Sequence, residues 1–85
     1  MEEKSFKKEY VSVLISVSPE GDKKPIKITL PDGRSYTVDK VGVPKRRAAS
    51  KVGGTGIRYP ISVGGIGTYL FEDEGKWFVE AKETR

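Results

Sequence analysis

Val11-Ser12-Val13-Leu14-Ile15-Ser16-Val17 decides the fold class. Apolar residues stand at 11, 13, 15 and 17, every second position, which is the period of a strand with one buried face. The spacing predicts a strand from about Tyr10 to Val17, stopped by the turn residues Ser18-Pro19-Glu20-Gly21-Asp22. Further along, Ile26, Ile28 and Leu30 alternate with Lys27 and Thr29, and Pro31-Asp32-Gly33-Arg34 closes a tight hairpin. The return strand carries Tyr36 and Val38 on one face. Val41 and Val43 then fall at odd spacing, which predicts a bulge or bend near Asp39-Lys40.

After Pro44 the alternation lapses for about ten residues. It resumes at Ile57, Tyr59, Ile61 and Val63, where Pro60 marks either an edge strand or a bulge. Gly64-Gly65 turns the chain into Ile66–Phe71, Glu72-Asp73-Glu74-Gly75-Lys76 turns it again, and Trp77–Ala81 is the last strand. The expected fold is all-β: a small antiparallel barrel or sandwich of five to six strands, SH3-like or related. Residues 1–85 read as a single domain, with 1–7 and 83–85 frayed. The expected core is Val11, Val13, Ile15, Ile26, Ile28, Leu30, Val38, Ile57, Ile61, Val63, Leu70, Trp77 and Val79.

Composition narrows the chemistry. The 85 residues include no cysteine and no histidine. Thiolate nucleophiles, disulfides, thiolate metal sites and the usual neutral-pH acid/base are therefore absent. A serine or threonine nucleophile would need a tuned lysine or carboxylate as its base. Asp32 belongs to its turn, Glu72-Asp73-Glu74 reads as a solvated hairpin tip, and Asp39 sits at the bulge position beside Lys40. The chain reads as non-enzymatic, with no cofactor and no metal. It shows no apolar run near the ~20 residues of a membrane span and no apolar signal-peptide core, so a cytoplasmic location without membrane contact is expected.

Charge is unevenly spread. Residues 40–58 carry Lys40, Lys45, Arg46, Arg47, Lys51 and Arg58 with no acid among them, whereas the net charge of the whole chain is +4. The same segment holds Val52-Gly53-Gly54-Thr55-Gly56, loosely repeated as Val63-Gly64-Gly65-Ile66-Gly67. Neither copy is a phosphate-binding P-loop or a dinucleotide fingerprint, because the Gly-Lys-Ser/Thr and the following helix are missing. Glycines that supply turns and bulges account for both copies. The basic run has three readings: a polyanion site, a solvated loop or single helical turn over Arg46–Lys51, and a phosphorylation site at Ser50. Tyr36 and Tyr59 lie close to it, and both fit the inward face of their strands.

The run Pro31-Asp32-Gly33-Arg34-Ser35-Tyr36-Thr37-Val38-Asp39-Lys40-Val41 resembles a group of short bacterial proteins of unknown function. So do Arg46-Arg47-Ala48-Ala49-Ser50-Lys51-Val52-Gly53-Gly54-Thr55-Gly56-Ile57-Arg58-Tyr59, Tyr69-Leu70-Phe71 and Trp77-Phe78-Val79-Glu80. The resemblance implies a bacterial cytoplasmic protein and brings no activity, substrate or binding residue with it.

The leading functional expectation is a small binding module whose basic Gly-rich loop, 45–58, contacts nucleic acid or another polyanion. Lys45, Arg46, Arg47, Lys51 and Arg58 would neutralise phosphates, and the N–H groups of Gly53, Gly54 and Gly56 would assist. The alternative is a protein-interaction or self-assembly module that adds a strand from a protein partner or a second copy to an exposed edge. A nucleotide held at the glycine loop ranks below both, since so small a chain offers little room to enclose a ligand.

Overall fold

The computed structural model describes residues 6–48 and 55–82. These form eight strand segments and no helix: β1 (Phe6–Val17), β2 (Lys23–Thr29), β3 (Ser35–Thr37), β4 (Lys40–Val41), β5 (Lys45–Ala48), β6 (Thr55–Val63), β7 (Ile66–Asp73) and β8 (Lys76–Lys82). All pairings are antiparallel, in the order β3-β2-β1-β8-β7-β6-β4, with β5 also on β6. The sheet curls into a half-barrel, as expected for a small all-β barrel. Its two margins meet on consecutive residues: Val38 N–H donates to Ile26 of β2 (2.8 Å), and Asp39 N–H donates to Ser62 of β6 (2.7 Å).

Long β1 makes the curl. Its first half, Phe6 to Val11, pairs with β8, and its second half, Ser12 to Val17, pairs with β2. Phe6 and Lys7, expected to fray, are thus strand residues opposite Lys82 and Ala81.

The inner face holds the larger of two core clusters, and Phe71 with Phe78 forms the smaller one on the other face. Ile28, Tyr59, Ile61 and Leu70 are buried, and Val11, Val13, Leu30, Val38, Val41, Ile57, Val63, Trp77 and Val79 pack on them. Period-2 reading located most of these. It failed at Ile26, which is 39% exposed. Between β1 and β2 the register passes from Leu14↔Lys27 to Ile15↔Pro25, so Ile26 is the extra residue of a bulge and Pro25 takes its buried place. A proline has no N–H to give to a ladder, and a bulge is where a sheet tolerates one. Ile15 is only half-buried, and Tyr36, expected inside, is 39% exposed.

Pro60 lies in an interior strand, not at an edge. A residue's N–H and C=O point to the same side of its strand, and the Pro60 carbonyl accepts from Gly42 N–H at 2.7 Å. Its N–H-less side therefore faces Gly42–Pro44, where the neighbouring strand breaks between β4 and β5. The bulge expected near Asp39-Lys40 is this handover of the chain from β2 to β6. The lapse after Pro44 contains β5, a strand of four polar and small residues that alternation could not reveal.

The turns follow their residues. Gly33 (φ 95°) closes a hairpin in which Asp32 accepts from Arg34 N–H at 3.0 Å and from Arg34 Nε at 2.7 Å. Gly64 and Gly65 (φ 58° and 80°) form a two-residue turn between Val63 and Ile66. Two successive positive φ values fit the right-handed twist of a hairpin. Asp39 Oδ2 accepts from Gly65 N–H at 3.3 Å, which gives that carboxylate a place at the turn.

Candidate nucleic-acid interface

The stretch expected as a basic loop is, where described, two strands of a hairpin. Lys45 stands directly opposite Arg58, Arg46 opposite Ile57, and Arg47 opposite Gly56. Alternation therefore divides the basic residues between the two faces of the sheet. Lys45 and Arg58 share the outer face. Arg46 shares a row with core residue Ile57 and stays exposed at the margin of the sheet. Lys51, Gly53 and Gly54 lie outside the described residues.

Gly56 is buried against β7, and a Cβ there would come within 2.7 Å of the Glu72 carbonyl oxygen. Close packing of two backbones explains this glycine.

The register on the outer face builds one continuous row: Lys45, Arg58, Phe71, Phe78, Tyr10, drawn in turn from β5, β6, β7, β8 and β1. Phe71 and Phe78 stack with ring centroids 5.1 Å apart and planes 8° apart. They are 2% and 1% exposed, so the middle of the row is apolar and shut off from solvent. Tyr10 meets the Phe78 ring edge-on at 5.8 Å, and Lys8 Nζ lies 5.0 Å from that ring's centre. Along β7 from Phe71, Tyr69 is 43% exposed, with the Arg58 guanidinium 4.3 Å from its ring centre. Tyr10 is 51% exposed. The rings expected near the basic run, Tyr36 and Tyr59, are not on this face. Tyr69, beside Arg58, and Tyr10, at the far end of the row, are, and only the strand register could have placed them there.

Acids on the outer face have cationic neighbours across the strands. Glu80 stands opposite Lys8, and Asp73 opposite Lys76. The row that contains Lys45 and Arg58 has no acid. Like charges directly opposite on a sheet repel.

The inner face carries a different polar group. Glu72, expected at a solvated tip, lies within β7 and faces inward, with its side chain 12% exposed. It accepts from Lys23 Nζ at 2.7 Å and from the Tyr59 hydroxyl at 3.3 Å, while the Trp77 ring tilts against Tyr59 at 5.1 Å. Burial first, then the Glu72 charge and the bond to it, push the Tyr59 phenol up to about 12. It stays protonated at neutral pH and donates, so the cluster ties β2, β6 and β7 together. The alternation Leu70, Glu72 would have found the inward carboxylate; the density of acids around it suggested a tip.

Among the described residues no group of three or more metal-ligating side chains converges, and no helix is long and apolar enough to cross a membrane. An open groove of about 530 Å³ lies where β1 leaves β8, between Tyr10–Val13 and Gly75–Trp77. Compared with known proteins, the chain matches no family model, no curated protein and no solved structure.

Proposed function

We propose that this chain is a non-enzymatic, cytoplasmic binding module that contacts nucleic acid through its outer sheet face. The observation that carries the reading is the directly opposed pair Lys45 and Arg58, in a row without an acid. Folding alone gains nothing from bringing two cations together, whereas a phosphate between them relieves their repulsion. Arg46, at the same margin, and Arg47 and Lys51, nearby in sequence, extend the positive field. Affinity rests on phosphate contacts and falls as salt rises.

The test is an oligonucleotide titration over a range of salt concentrations with Lys45→Gln and Arg58→Gln. Each variant is expected to weaken binding and to flatten the slope of log K against log salt by about 0.7–0.9, the value of one phosphate contact. Unchanged affinity in both variants overturns the assignment.

A second reading, strand addition from a protein partner or another copy, is favoured by β5, which among the described residues pairs with β6 alone. Its signature is a complex that survives high salt, because main-chain bonds and not charges would hold it.

A further inference from the structure

We infer that the outer face selects single-stranded over duplex nucleic acid, by stacking bases on Tyr69 and Tyr10. This rests on the nucleic-acid reading of the same face and names the form of its ligand. Two observations carry it.

The first is the presence of exposed rings among cations. Tyr69 is 43% exposed with Arg58 stacked on it, and Tyr10, 51% exposed, ends the row that begins at Lys45. Exposed rings beside a cationic track hold unpaired bases in many sequence contexts, because every base has a π face. In a duplex those faces are already stacked on one another, and rings on a protein surface cannot reach them.

The second is shape. The row spans five neighbouring strands, about 19 Å at the usual strand spacing. A major groove is about 12 Å wide and admits a helix or a two-stranded ribbon. A sheet of this breadth cannot enter it, and its centre, Phe71 stacked on Phe78, is itself buried and holds the two exposed tyrosines apart. A flexible strand can lie across such a face, with backbone at Lys45 and Arg58 and bases on the rings.

Fluorescence anisotropy at fixed salt, with labelled oligothymidylate of about 10 nucleotides and a duplex of equal length, tests the inference. The unpaired strand is expected to bind tighter. Tyr69→Thr should lose roughly 5- to 150-fold in affinity for it, the equivalent of one stacked base, and lose far less for the duplex. Lys45→Gln should weaken both. If Tyr69→Thr lowers the melting temperature enough to unfold the protein, Tyr10→Thr, at a more exposed position, carries the same expectation.

Duplex bound as tightly as single strand, or tyrosine variants that weaken both equally, overturns the selectivity and leaves the charge-based reading standing. Binding to neither form at low salt overturns both.

Discussion

Glu74 occupies the first position of the β7–β8 turn with φ 52°, beside Gly75 at 79°. That conformation costs a residue bearing a Cβ about 1–2 kcal/mol, and asparagine bears it best among non-glycine residues. Glu74→Asn is therefore expected to stabilise the fold by about 0.5–1 kcal/mol, read as a rise in melting temperature. Gly56 gives the opposite case. A methyl group there must push the Glu72 carbonyl away, so Gly56→Ala should cost about 1–3 kcal/mol in a urea melt. Tyr59 adds a pH dependence of definite sign. Its folded pKa of about 12 lies above the ordinary value of 10.0, so the folded state holds the phenolic proton longer than the unfolded chain. The stability this supplies is complete below pH 10.0 and is lost as the pH rises towards about 12. Tyr59→Phe should remove that portion of the alkaline loss, and ultraviolet difference titration of wild type against this variant should show the Tyr59 phenol ionising late.

At the scale of the strand, legibility followed burial. β1, β6 and the Pro31–Arg34 hairpin were plain in the sequence because their apolar residues face one core at period 2, and period is what a sequence displays. β5 was hidden. Lys45-Arg46-Arg47-Ala48 has no apolar alternation, and β6, to which it pairs, is what holds it in a strand. Ile26 was misplaced for a related reason: a bulge shifts every later residue by one face, and β2 shows it only in its pairing with β1. For the site, the charges were legible and the faces were not. Lys45 and Arg58 stand far apart in sequence, and their meeting depends on the β5–β6 register. Arg46 and Lys45 are neighbours in sequence, yet the sheet separates them. Hence Arg46→Gln is expected to weaken oligonucleotide binding less than Lys45→Gln, by a measurable margin in the same titration.

At the scale of the molecule, the Lys23–Glu72 ion pair reaches from β2 to β7, strands that are not neighbours in the sheet. Lys23 is 40% exposed, which keeps the contribution of the pair modest, at about 1 kcal/mol or less. Lys23→Gln should lower the melting temperature slightly in dilute buffer and by less in high salt, where screening has already weakened the attraction. With the Val38 and Asp39 backbone bonds, this pair holds the curl of a sheet whose inner face contains the larger core cluster around Tyr59, Ile61 and Leu70.

The division of β1 between β2 and β8 also shapes the folding route. Among the described residues every other pairing except β4–β6, which skips β5, joins strands that follow one another along the chain, whereas Phe6 faces Lys82 across nearly all of it. Hairpins such as β6–β7 close short loops and can nucleate early, while docking β1 on β8 must close the longest loop, whose entropy grows with length. The transition state should thus contain the β6–β7–β8 meander and lack the β1–β8 seam. Thinning the seam by Val79→Ala should mainly speed unfolding, and thinning the meander by Ile61→Val should mainly slow refolding.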